Sequence, residues 1–134
     1  MMESGNKLCL DTFYPEKELK IVDIRQQKDK IIIQMKSISK TCSCPKCNCA
    51  TNKYHGMYRR KVQDLPILGK RVQLEISSHE YECINDGCEV TSFAETFSGF
   101  LNTYSRMTER CADFICTLAL ETSCEGCARI CHTL

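Results

Sequence analysis

Two cysteine pairs define the chemistry open to this chain: Cys44-Pro45-Lys46-Cys47 and Cys83-Ile84-Asn85-Asp86-Gly87-Cys88. A C-x2-C or C-x4-C loop can fold back so that both sulfurs face one ion. Two such loops complete a tetrahedral thiolate shell of the kind that holds zinc. Turn-forming residues sit where the loops need them: Pro45 fixes a backbone angle in the first, and Asn85, Asp86 and Gly87 tolerate tight or left-handed conformations in the second. Cys42 and Cys49 flank the first pair and stand as alternative ligands. Cys44 and Cys47 are preferred because their spacing brackets the proline loop.

Three other uses of these thiols can be weighed. Twelve cysteines in 134 residues would suggest disulfides in a secreted protein. However, Met1 to Leu10 shows no basic region followed by an apolar run, and no segment approaches the roughly 20 apolar residues of a membrane span. The thiols therefore read as reduced, in a cytoplasmic protein with no membrane partner. A glutaredoxin-like Cys-Pro-x-Cys should open a helix, whereas Asn48 to Arg60 has no 3.6-residue apolar period and carries strand-favouring tyrosines. A zinc deaminase would need His-x-Glu and Pro-Cys-x-x-Cys, but here the order is Cys-Pro and His79 is followed directly by Glu80.

The elements that must position the two pairs can be read from periodicity. Leu19 to Asp23 and Lys30 to Lys36 are β-rich runs joined by a polar turn, hence a hairpin. Ile31, Ile33 and Met35 alternate with Ile32, Gln34 and Lys36, so one face packs and the other is mostly wet. Tyr54 to Gln63 and Lys70 to Glu82 predict two further strands linked by Asp64 to Gly69, with Val72, Leu74 and Ile76 on one face. That pair carries the chain from one cysteine loop out to a turn and back to the other.

Ser98 to Ser105 reads as a connection with a domain boundary near residue 100, giving domains 1–100 and 101–134. Beyond it, Met107, Cys111, Phe114, Ile115 and Leu118 fall at helical spacing, with the helix ending near Leu120 or Glu121. Ser123 can cap a second helix carrying Cys124, Cys127, Ala128 and Cys131 at i, i+3, i+4 and i+7. With His132 beside them these cysteines could be read as a second metal site, but at this spacing they suit a stripe of small apolar side chains for helix packing. The fold class expected is α+β: a small antiparallel zinc ribbon with a preceding β-hairpin, followed by a partial helix-turn-helix module.

The formal net charge of +1 conceals a division along the chain. Residues 44–75 carry seven Lys/Arg against two Asp/Glu, while residues 76–134 carry three against nine. The basic block contains Lys46, Lys53, Arg59, Arg60, Lys61, Lys70 and Arg71, interleaved with Tyr54, His55 and Tyr58. A phosphate backbone is the natural partner of such a surface. With about five contacts, affinity would fall with salt at a log–log slope of about −4 to −5. A zinc ribbon that docks another protein is the rival reading.

Taken in order, these residues resemble the zinc-ribbon transposases of bacterial insertion sequences, the ISL-three group. The resemblance rests on Cys44-Pro45-Lys46-Cys47, His55-Gly56-Met57-Tyr58-Arg59-Arg60, Asp64-Leu65-Pro66, Gly69, Cys83 to Cys88, Phe93-Ala94-Glu95 and Arg106-Met107-Thr108, and spans roughly residues 20–134. Asn48 departs from it, standing where the first zinc loop of that group has glycine. The resemblance implies one structural Zn2+ on Cys44, Cys47, Cys83 and Cys88, and a ribbon and helix-turn-helix that bind double-stranded DNA at terminal inverted repeats. It also implies a nucleoid-associated bacterial protein, dimeric in its full-length form. The carboxylate-bearing nuclease of that group does not fit within 134 residues, nor does the recognition helix expected after Leu134. The chain is therefore read as the non-catalytic amino-terminal part of a transposase.

Overall fold

The computed structural model describes residues 18–102 and 105–133; the amino-terminal segment, and the position after which a recognition helix was expected, lie outside the described residues. The architecture is α+β. Strands β1 (Leu19–Gln26) and β2 (Lys30–Ser37) form the expected hairpin, and β5 (Tyr54–Ile67) and β6 (Lys70–Glu82) form the second. Between them lies a two-stranded knuckle of β3 (Cys42–Ser43) and β4 (Ala50–Thr51). After β6 come β7 (Ser92–Ala94), α1 (Glu109–Glu121) and α2 (Cys124–Thr133).

The two hairpins are not separate bodies. β2 pairs with β6 in parallel from Lys30↔Arg71 to Lys36↔Ser77, giving the order β1-β2-β6-β5, and β7 continues along β6 beyond the end of β2. The expected ribbon with a hairpin before it is thus one mixed five-stranded sheet. Ile31, Ile33 and Met35 of β2 share one face with Val72, Leu74 and Ile76 of β6 and with Val62 of β5. All seven are buried. Neither hairpin alone could cover its apolar face; joined side by side they make one continuous floor.

That floor needs a cover, and Phe97 with the segment after it, expected to be a bare connection from Ser98, supplies it. Phe97, Phe100 and Leu101 are buried against the sheet as part of its main core. Burial of each such side chain contributes about 2 kcal/mol, which is why the chain turns back here instead of leaving the sheet. Residues 106–108 then run along the outer edge of β5: Gln63 N–H donates to Arg106 O at 2.8 Å, and Thr108 N–H donates to Gln63 O at 3.0 Å.

The β5–β6 turn is tighter than the six-residue link expected. β5 extends beyond Gln63 to Ile67 while β6 keeps its expected bounds, with a bulge between Asp64 and Ile67 that accommodates Pro66, and only Leu68 and Gly69 remain as the turn, with φ of 49° and 78°. The bulge places Asp64 where it receives the helical module. Asp64, 2% exposed, accepts from Thr108 Oγ1 at 2.7 Å, Arg110 Nε at 3.0 Å and Arg110 Nη2 at 2.5 Å. Thr108 is also the N-cap of α1, its side chain accepting from Cys111 N–H at 3.3 Å. The helix therefore begins at Glu109, not Met107. It ends at Glu121 as expected, and Ser123 caps α2 by accepting from Gly126 N–H at 3.0 Å.

Burial alone would raise the Asp64 pKa, but the hydrogen bonds from Arg110 and Thr108 outweigh it and hold the carboxyl below its usual range. Because the folded-state pKa is depressed, this stabilisation is present above the unfolded carboxylate value of about 3.9 and is lost as pH falls through the native value. Asp64→Asn is expected to cost about 2 kcal/mol at neutral pH. It should also flatten the acid limb of the stability curve below pH about 4. Urea denaturation at neutral and acid pH checks both; an unchanged acid limb would remove Asp64 as the titrating tie.

Candidate functional site

At one end of the sheet, the β3–β4 knuckle and the loop after β6 bring together Cys44, Cys47, Cys83 and Cys88, whose sulfurs all lie within 4.8 Å of one another. The first loop closes by Cys44 N–H donating to Cys49 O at 3.0 Å and Asn48 N–H donating to Cys44 O at 2.8 Å. Asn48 itself has φ 59°. The position thus requires the left-handed conformation, which glycine adopts freely and asparagine tolerates, so the departure at Asn48 keeps the loop's shape. In the second loop, the Asn85 side chain accepts from Gly87 N–H at 3.1 Å and Cys88 N–H donates to Asn85 O at 3.0 Å.

The sulfurs fit a zinc ion. Cys44 Sγ lies 3.8 Å from Cys88 Sγ, and Cys47 Sγ lies 3.6 Å from Cys83 Sγ. A tetrahedron with Zn–S bonds of about 2.3 Å has edges of about 3.8 Å. Backbone and side-chain donors favour the thiolate form: the Cys49 amide and the Asn85 side chain bring the Cys47 thiol down to about 6. The Asn85 amide acts the same way on Cys83. There, however, burial and the bonds shared with the other thiols prevail and push it up to about 12. Four thiolates at these distances would repel one another, and a divalent cation at their centre removes that repulsion. Zn2+ is therefore the cofactor of this cluster, in a structural role with no open coordination position.

The alternative sulfurs face elsewhere. Neither belongs to the four-sulfur cluster; Cys42 Sγ lies 3.8 Å from Ser43 O and Cys49 Sγ 3.8 Å from Ala50 O. Burial and the nearby Glu95 carboxylate push the Cys42 thiol up, so it stays protonated. Among the described residues, the cysteines of α1 and α2 form no metal cluster. Of the expected packing stripe on α2, Cys127 is buried, Cys131 is half-buried, and Cys124 and Ala128 are exposed, because α2 rests on α1 through a narrow seam. The segment that a glutaredoxin-like motif would need as a helix is β4 and the start of β5.

The metal cluster has its own small core. Cys44, Tyr81 and Phe93 are buried together, with Cys42, Cys47, Cys83, Cys88 and Val90 against them. Beside it, buried Glu95 accepts from Ser37 Oγ at 2.7 Å and His79 N–H at 2.6 Å, joining β2, β6 and the segment after β7. Phe93-Ala94-Glu95 is therefore a fastening between the knuckle and the main sheet.

The basic residues divide between the two faces of β5 and β6. Arg59 and Lys61 project on the face opposite the core, across from Ser77 and Glu75, and Arg71 lies on that same open face. Tyr58 and Arg60 occupy the covered face opposite Ser78 and Ile76; the Arg60 guanidinium donates to Asn102 O at 3.2 Å and to Ser105 O, bracing the connection. His55 Nδ1 lies 3.2 Å from Glu82 beside the zinc end, Tyr54 packs edge-on against His79 at 5.4 Å, and Lys70 is half-buried at the start of β6.

Three cations that the sequence did not single out join the open face: Lys36 and Lys30 on β2, in register with Ser77 and Arg71, and Arg106 at the β5 edge. Among the described residues Arg59, Lys61, Lys36 and Arg106 are held in no ion pair, whereas exposed Arg71 reaches Asp29 at 3.9 Å. The alternation of β2 was the available signal, because it puts Lys30 and Lys36 on the wet face. What it lacked was the strand beside which that face would lie.

Residues 40–88 match the family model for the zinc-finger of transposase IS204/IS1001/IS1096/IS1165. The match contains all four clustered cysteines and the whole β5–β6 hairpin, and ends before the helices. No curated protein and no solved structure matches the chain. Among the described residues, no helix is long and apolar enough to cross a membrane.

Proposed function

On the premise that residues 40–88 are the zinc ribbon of an insertion-sequence transposase, we propose that this chain binds double-stranded DNA at the ends of such an element and carries no nuclease chemistry of its own. Cys44, Cys47, Cys83 and Cys88 hold the ion, and the ion fixes the base of the β5–β6 hairpin. The observation that carries the reading is the single open face on which that hairpin presents Arg59, Lys61 and Arg71. Lys30, Lys36 and Arg106 extend this surface, and the phosphates of a DNA backbone are what it fits.

Helices α1 and α2, joined by Thr122 and Ser123, are the first two of a helix-turn-helix, fastened to the ribbon through Asp64. A cytoplasmic, nucleoid-associated location and a dimeric full-length protein go with this role. The test is fluorescence anisotropy with labelled inverted-repeat duplex against a scrambled duplex of equal length. Tighter binding to the inverted repeat is expected. Equal binding would reduce the module to a non-specific DNA anchor, and no binding to either would favour a protein-docking ribbon.

A further inference from the structure

The open face is not uniformly basic, and its pattern differs from that of a simple phosphate platform. A concavity of about 720 Å³ lies over β2 and β6 on this face. Glu75 stands in its floor, accepting from Gln34 Nε2 at 3.2 Å and Gln73 Nε2 at 3.1 Å. Cations stand around it: Arg25 on β1, whose Nη2 lies 4.0 Å from Glu75 Oε1, Lys36 and Arg59 opposite Ser77 on the flanking strands, and Lys61 directly across from Glu75 on β5. Apolar side chains form the walls, with Met57 and Val22 each 56% exposed, and Tyr54, 55% exposed, stands beside His79.

A negative centre with a positive rim is wrong for a phosphate in the concavity and right for a base in it. The rim then meets the flanking phosphates. The floor carboxylate repels an anion but accepts from an exocyclic amine, as Glu and Asp do with the amino group of cytosine. Exposed apolar walls gain nothing from a duplex, whose base faces are stacked on each other. A single strand offers those faces for stacking on Met57 and Tyr54.

We infer that the open sheet face, centred on Glu75 and walled by Met57, binds single-stranded DNA with one base seated in the concavity, and prefers a base that carries an exocyclic amine over thymine. The inference rests on the DNA-binding reading of the same face, and names the form of DNA and the group that reads it.

Anisotropy with labelled dC12, dT12, rC12 and a duplex, on the zinc-loaded chain and its variants, tests this. The expected result is that dC12 binds about tenfold more tightly than dT12, and that Glu75→Gln removes most of that preference. Met57→Ala is expected to weaken dC12 about tenfold with duplex affinity unchanged. Crosslinking a 5-iodocytosine-substituted strand to Tyr54 or Met57, read by peptide mass, locates the base even where a variant folds poorly. Equal affinity for dC12 and dT12, crosslinks confined to other residues, or tighter binding of rC12 than dC12 would each overturn the inference. If dC12 binds as expected and duplex does not, the base site stands and the duplex-end reading fails. If duplex binds and Met57→Ala and Glu75→Gln leave dC12 unaffected, the reverse holds.

Discussion

Replacing Cys44 with Ser is expected to release the zinc ion and unfold the knuckle end of the molecule, while the centre of the five-stranded sheet stays folded. Cys44 is fully buried in the small core with Tyr81 and Phe93, so the substitution removes a ligand and places a hydroxyl in an apolar pocket. Zinc binding to structural thiolate and imidazole sites is worth on the order of 10 to 16 kcal/mol in apparent terms at neutral pH, far more than this small core could replace. The main core of Ile31, Ile33, Met35, Val62, Val72, Leu74 and Ile76, covered by Phe97, Phe100 and Leu101, has no sulfur ligand in it. Its stability is therefore separable from the metal.

Because the main core lies apart from the metal cluster, loss of zinc is confined to the knuckle end. Hydrogen exchange should show residues 42–54 and 81–94 losing protection in Cys44→Ser or after chelation, with Ile33, Leu74 and Ile76 retaining theirs. Uniform loss of protection would show that the metal holds the whole sheet. Cys42→Ser and Cys49→Ser should each keep one zinc per chain. Acidification should act in the same direction as chelation, because zinc binds thiolates and must displace thiol protons, and each proton displaced weakens apparent affinity about tenfold per unit of falling pH.

The second large effect concerns DNA. Arg59→Ala with Lys61→Ala removes two exposed cations from the open face and is expected to weaken duplex binding by about tenfold or more at moderate salt, with the thermal midpoint nearly unchanged. Arg60→Ala should do the opposite. Its guanidinium braces Asn102 and Ser105, so its loss lowers stability and leaves the salt dependence of binding intact. Three adjacent positions in a basic run thus have different jobs, set by the period-2 alternation of β5. If Arg60→Ala weakened DNA as much as the double variant did, the assignment of faces would be wrong.

Local pattern explains what could be read in advance. The two hairpins follow from alternation in Ile31, Ile33 and Met35 and in Val72, Leu74 and Ile76, and the helix ends follow from Ser123 and the apolar spacing up to Glu121. The four clustered cysteines follow from loop spacing, which is local chemistry. The parallel docking of β2 on β6 is not local: about forty residues separate Ile33 from its partner Leu74, and nothing in either strand names the other. Lys30, Lys36 and Arg106 were missed for the same reason, since they meet Arg59, Lys61 and Arg71 only once the sheet is assembled. Phe97, Phe100 and Leu101 were hidden among Ser98, Gly99 and Asn102, a composition that reads as a link. Asp64 looked like a turn residue, and its buried bonds to Thr108 and Arg110 became visible only with the helix in place.

Binding of DNA phosphates by the zinc-anchored sheet face is tested most directly by the salt dependence of duplex affinity between about 50 and 200 mM. With about six cations engaged, the zinc-loaded chain should show a log–log slope of about −5, and the Arg59→Ala, Lys61→Ala variant a slope of about −3 to −4. A flat response of the unmodified chain, or equal slopes for the two proteins, would contradict it.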